Sequence, residues 1–313
     1  MIISSLFGKT RPVNYVLLLS LLFVFFTLAH LGFTRMSFDG VGFLQGLWSL
    51  ACLLFSVFVV NFIVQRNQLT AAHSFAMLFY ALFIILFPDT MLDPDVIFAA
   101  FFLLLAYRRL ISLKSLKNPK SKIFDGALWI LVASLFLNQL VFLLILVWCY
   151  VYFYVPKQLN YWLIPLAAAV VVALTGWSVS YLLGDPEFLF RHYARVFQEA
   201  MLVRFSGGYW IKPLVFLSIV LISGILSFIR QGKSGQGKLT QLRLLILGWF
   251  LVVLIISFSG ERIGSTIMLA YFPSAVFMAR YVESIRREFI KDIMLSSATV
   301  ISILAFFLQW VVK

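Results

Sequence analysis

Long apolar runs separated by short polar connections recur along the whole chain, and most of them are long enough to cross a bilayer. A helix needs about 20 predominantly apolar residues to span ~30 Å of hydrocarbon. Soluble domains are nearer half apolar, whereas 63% of these 313 residues are hydrophobic and the mean hydropathy is +1.02. The fold class that follows is all-α, a polytopic transmembrane helical bundle. A transmembrane barrel would show short segments of alternating polarity, and these runs are continuous. About eleven helices are predicted, at roughly 14–33, 45–64, 74–88, 95–107, two short ones within 127–155, 161–183, 213–229, 243–258, 265–279 and a last one ending at Lys313. Connections between them are short, with no room for a soluble domain of ~100 residues.

Charge is sorted between these runs. With the N-terminus inside, 18 of the 25 Lys and Arg fall on the cytoplasmic side and 8 of the 12 acids on the other. Lys and Arg resist translocation, so the asymmetry sets the orientation. The stretch 108–125, RRLISLKSLKNPKSKIFD, carries six Lys or Arg and one Asp and marks the cytoplasm. DTMLDPD carries three Asp and no base and marks the outside. The net charge of +13 therefore orients the chain and meets anionic headgroups; it does not indicate nucleic acid. Lys9 and Arg11 before the first run resemble a signal peptide, but no small-residue cleavage site follows, and the run is predicted as an uncleaved first helix. The expected organisation is a transmembrane module over 1–184, a periplasmic segment over 185–212 and C-terminal transmembrane helices over 213–313. Within the middle segment Phe188, Phe190, Tyr193, Phe197 and Met201 recur at helical spacing among Arg191, Arg195 and Glu199, the pattern of an amphipathic helix lying in the interface.

Few residues remain for chemistry. Cys52 and Cys149 sit inside apolar runs and read as small core residues. His30, His73 and His192 are scattered without metal-ligand spacing. Walker A, GxGxxG and GxSxG patterns are absent. The outer face carries Asp39, Asp89, Asp93, Asp95, Asp185, Glu187, Glu199 and Glu261, with Arg35, Arg191, Arg195, Arg204, Lys212 and Arg262. Carboxylates of this kind deprotonate a hydroxyl or hold a divalent cation, the one cofactor they suggest. Arginines grip phosphate bidentately. Asp39, followed by Gly40 and Gly42, is a candidate base, or else the cap of the second helix. Asp93 and Asp95 flank Pro94 before the fourth helix; Asp95 reads as its N-cap, and the pair as a metal or sugar contact. Arg262 beside Glu261 is a phosphate clamp or a local ion pair. Arg191 and Arg195 snorkel to headgroups or bind a lipid-linked phosphate. Asn138 and Gln139, in the middle of a 29-residue apolar run, mark a helix break and read as helix–helix glue.

The stretch 14–183 resembles the N-terminal module of GT-C glycosyltransferases, polytopic enzymes that use polyprenyl-phosphate sugars. The likeness rests on a first helix, an outer loop with an acid (Asp39), a third helix, an outer loop ending in Asp before a fourth helix (LFPDTMLDPDVIFAAFFLLLAYRRL), a basic turn and two short helices. SFSGERIGSTIMLAYFPSAVFMARYVES is similar to the late outer loop and Pro-containing helix of that family, through Arg262 and Pro273. The resemblance implies catalysis on the periplasmic face of a bacterial inner membrane. Asp39 would be the base, Arg262 the phosphate ligand and Asp93 or Asp95 a second acidic contact. The opening FGKTRPVNY and the segment RRLISLKS also resemble an uncharacterised family of Bacteroidota inner-membrane proteins. The implied partners are membrane lipid and a polyprenyl-phosphate sugar donor. The alternatives are a non-catalytic subunit of a cell-envelope complex and, less favoured because mid-membrane ionisable residues are lacking, a transporter.

Overall fold

The computed structural model describes residues 3–33, 40–201, 210–230, 236–258 and 262–312. The described residues are all-α. In chain order the helices are α1 (Ile3–Phe7), α2 (Pro12–Phe33), α3 (Gly40–Arg66), α4 (Phe75–Leu86), α5 (Pro94–Ile111), α6 (Pro119–Ser134) and α7 (Leu144–Tyr154). They continue with α8 (Leu159–Leu182), α9 (Phe188–Met201), α10 (Ile211–Arg230), α11 (Gln236–Ser257), α12 (Ile263–Thr266), α13 (Tyr271–Glu283) and α14 (Glu288–Val312). Four-residue 3-10 turns at Pro88–Met91, Ser112–Ser115 and Ile267–Ala270, and a longer one at Asn138–Leu143, join or extend them.

Among the described residues eight helical runs are long and apolar enough to cross a membrane, so the chain is a multi-pass membrane protein. They are α2, α3, α5, α8, α10, α11, α14 and the run from α12 through α13. The other three expected crossings are shorter pieces. The 12 residues of α4 reach only about 18 Å, and the Pro88–Met91 turn adds about 8 Å. The run predicted at 127–155 does break at Asn138, but its first half starts earlier, at Pro119. Pro119 is pre-set for a first helical position, and Asn118 before it takes φ 48, the left-handed region that Asn tolerates.

Large apolar side chains line the outsides of these helices: Leu163, Leu166, Val170, Leu174 and Trp177 on α8 are all more than half exposed. In water such a stripe would drive aggregation; in lipid it is the expected solvent contact. Burial ranks the helices. In the run Ile263–Glu283, 94% of the apolar window is buried, against 17% in Glu288–Gln309. The former is therefore a central element and the latter a lipid-facing one.

The chain divides into two compact units. The first comprises Met1–Ile97, Ile211–Ser234 and Gly264–Lys313. Its centre is α13, packed against α4 and α10. The rings of Phe83, Phe87 and Phe216 gather round Tyr271 at centroid distances of 5.8, 6.3 and 6.0 Å. Gly224 of α10 lets Phe277 approach, since a Cβ there would meet the ring at 3.3 Å. One end of this unit is tied by Ser74 N–H to Phe7 O (2.9 Å), Asn14 Nδ2 to Ser74 Oγ (3.1 Å) and Ser4 N–H to Asp292 (2.9 Å). The other end holds the Pro88–Met91 turn and the start of α5.

The second unit comprises Phe98–Trp210 and Gly235–Ile263. Here α6 packs on α8, and α11 on α7. The amphipathic segment forms the helix expected of it, α9, and docks by polar bonds: Tyr193 Oη and Ser134 Oγ are 2.7 Å apart. Asn138 Nδ2 donates to His192 O at 3.1 Å, and Gln139 Nε2 to Phe258 O at 3.3 Å. Asn138 and Gln139 thus act as the predicted glue, holding the helix break to α9 and to the end of α11. The basic stretch 108–125 is itself folded, with Lys122 Nζ donating to Ser112 O (2.7 Å) and Arg109 paired with Asp125 at 3.1 Å.

Candidate functional site

The polar end of the first unit is built where α4 stops. Phe87 leaves the helix in an irregular conformation (φ -119, ψ 82), and Pro88 starts a tight turn. This places Asp89 and Asp93 on either side of Leu92, just ahead of α5. Asp93 accepts from Val96 N–H at 3.4 Å and so caps α5. The sequence points to Asp95 as the cap. The structure puts Pro94 at the first helical position, where no N–H is needed, and the carboxylate one residue earlier reaches the third N–H. Asp95 lies in the first turn, half-buried, where a negative charge suits the helix dipole.

A second chain segment meets these carboxylates. Ser265 Oγ donates to the other Asp93 oxygen at 2.8 Å. Its neighbour Gly264 lies so close to Asp89 that a Cβ there would sit 3.0 Å from Oδ2. Consecutive residues of one short helix therefore lie against both acids, and the second of them bonds Asp93. Lys212, in the first turn of α10, donates an ammonium hydrogen to Leu86 O, the carbonyl freed where α4 ends. Its Nζ also stands 4.7 Å from the centre of the Phe87 ring and within electrostatic reach of Asp89. The result is a half-buried group of two carboxylates, one ammonium and one hydroxyl where α4, α5, α10 and α12 meet. Acceptor-only carboxylates beside a lysine and a serine can orient a hydroxyl-bearing ligand and balance an anion.

The residues singled out from the sequence are only partly gathered here. Asp93 belongs to the group, with Asp95 on the following turn. Asp39 lies outside the described residues. Arg262 is exposed just ahead of α12 and falls in the second unit. Arg191 is exposed on α9 and ion-paired with Asp185, and Arg195 is exposed on the same helix. Among the described residues no three His, Cys, Asp or Glu side chains come together as a metal site. The residues not chosen from sequence are Asp89, Lys212 and Ser265. The signal for Lys212 was a charge followed by Pro213 inside the first turn of an apolar helix; it reads as an ordinary flank until the end of α4 is known to lie against it.

The chain belongs to a family of unknown function (DUF6427), whose model matches residues 13–313. No curated protein and no solved structure matches the chain.

Proposed function

We propose that this member of a family of unknown function is a GT-C-like transferase of a bacterial inner membrane. It would move a sugar from a polyprenyl-phosphate donor to an acceptor at the end of the first unit that carries Asp89, Asp93 and Lys212. The observation that carries the reading is the meeting of two acids, a serine and a lysine where α4 and the turn after it, α5, α10 and α12 come together. Charge bias assigns that end to the outside, the face on which the GT-C resemblance implies catalysis. In the reaction an acceptor hydroxyl attacks the anomeric carbon, the bond from that carbon to the phosphate oxygen breaks, and the hydroxyl proton passes to a carboxylate. Asp39 keeps the role of base that the resemblance gives it. Asp93, fixed by Ser265 and by its own helix, orients the acceptor. The Lys212 ammonium has three N–H donors and gives one to Leu86, so two can meet the departing polyprenyl phosphate.

The test is transfer of a radiolabelled sugar from polyprenyl phosphate in proteoliposomes. Asp93→Asn and Lys212→Gln should each lower the rate at least a hundredfold while the protein stays folded and inserted. Full activity in both variants overturns the assignment, and no transfer by the wild-type chain from any polyprenyl-phosphate sugar overturns the reaction class. A second reading, a non-catalytic subunit of an envelope complex, draws on the same bonds: capping α5 and tying down Ser265 are also what a structural latch would do. It predicts that Asp93→Asn lowers stability and subunit association, with no chemistry to lose.

A further inference from the structure

At the opposite end of α13 the first unit has a cavity of about 710 Å³, lined among others by Arg280, Glu283, Arg286 and Arg287. It lies between the last turn of one apolar span and the first turn of the next, Ile263–Glu283 and Glu288–Gln309. The carboxylate end is remote. Ser265 and Glu283 are eighteen residues apart along the α12–α13 run, roughly 29 Å of helix, the thickness of a bilayer core. The two ends therefore meet opposite interfaces.

Three guanidinium groups line the cavity with one acid. Arg280 is 5% exposed, and a guanidinium so buried needs a counter-charge nearby. Glu283 is that counter-charge for Arg280 and also serves the α3–α4 connection: His73 Nε2 lies 3.3 Å from its Oε2, and Ala71 N–H donates to the same oxygen at 3.2 Å, so one carboxylate stands against three guanidinium groups. Arg286 and Arg287 are exposed at the rim. The lower wall is apolar, through Ile285, Ile290 and Met294, and leads onto the exposed face of α14 formed by Phe289, Ile293 and Val300.

We propose that this cavity binds a phosphate anion. Guanidinium forks match phosphate oxygens bidentately, and basic pockets between membrane helices at the cytoplasmic interface suit phospholipid headgroups. The volume falls within the range of small-ligand sites. The phosphate can belong to an anionic lipid, with its chains laid along α14, or to a free phosphate ester.

The full-length protein, purified in detergent, is examined by native mass spectrometry with added phosphatidylglycerol, with phosphatidylcholine, and with inorganic pyrophosphate. An Arg286→Gln/Arg287→Gln variant removes two rim charges, and Lys117→Gln/Lys120→Gln, on the basic stretch of the second unit, serves as control. Phosphatidylglycerol binding that weakens about thirtyfold in the arginine variant, as two interfacial guanidiniums warrant, and stays unchanged in the control supports a headgroup site. The same pattern with pyrophosphate alone supports a free phosphate ester. Equal binding by both variants and the wild type, or equal loss in both, overturns the proposal. This site does not depend on sugar transfer at the other end, so its failure would leave that reading standing.

Discussion

Two glycines give the sharpest stability contrast in the structure. Gly46 lies in α3 with nothing within 4 Å of where a Cβ would stand. Gly126 lies in α6, and a Cβ there would be 2.6 Å from Leu110 Cδ2 and 3.0 Å from its Cγ. Leu110 is wholly buried, so its side chain has little room to turn away. Replacing glycine by alanine inside a helix gains about 1 kcal/mol by restricting the unfolded chain. Forcing a methyl into a packed contact costs about 1–3 kcal/mol. Gly46→Ala should therefore stabilise by roughly 1 kcal/mol, and Gly126→Ala should come out between neutral and about 2 kcal/mol destabilising. The assay is thermal unfolding in detergent followed with a thiol-reactive dye, because both cysteines are free and half-buried, Cys52 in α3 and Cys149 in α7. Gly46→Ala should raise the unfolding midpoint and Gly126→Ala lower it or leave it unchanged, whichever cysteine is read. Equal stabilisation by both would refute the reasoning, since it would mean that the close approach of α6 to Leu110 does not exist.

Other substitutions test the polar contacts. Ser265→Ala leaves Asp93 without its hydroxyl donor and should destabilise by about 1 kcal/mol, the charge-assisted bond being discounted for the half-exposure of the carboxylate; a midpoint unchanged from wild type would remove Ser265 from the site. Glu283→Ala takes the acceptor from Ala71 N–H and His73, and a loss of about 1–2 kcal/mol is expected in the same thermal assay; no loss would mean that the α3–α4 connection is held elsewhere. Gln139→Leu should cost only about 0.6 kcal/mol, the usual weight of one hydrogen bond between membrane helices. A loss several times larger would show that the bond to Phe258 O also fixes the break in the chain.

Periodicity and charge made much of this legible from the chain alone. The ends of α2, α4, α8 and α10 fall within two residues of expectation, because each is bounded by a proline, a loop charge or a change in polarity. The break at Asn138 was visible because two amides interrupt a long apolar run. What was not legible is the conformation after α4: only the packing of Tyr271 and Lys212 around Leu86 and Phe87 shows that Phe87 leaves the helix and Pro88 starts a tight turn. The meeting of Asp93 with Ser265 joins residues 172 apart in the chain, and His73 meets Glu283 across 210. Neither pair leaves a local pattern, since a lone histidine or a serine in an apolar segment has many ordinary uses. The cap of α5 turned on one residue, Pro94, whose missing N–H moves the capping role from Asp95 to Asp93.

Sugar transfer at the carboxylate group and phosphate binding at the arginine cavity both require the two ends of the Ile263–Glu283 span to face opposite sides of the membrane, with the carboxylate group outward. In a background of Cys52→Ser and Cys149→Ser, Arg262→Cys and Arg287→Cys place one exposed thiol just before and one just after that span. An impermeant maleimide applied to intact bacterial cells should label Arg262→Cys directly and Arg287→Cys only after the membrane is opened. Labelling of both from one side, or of Arg287→Cys alone in intact cells, would contradict the account.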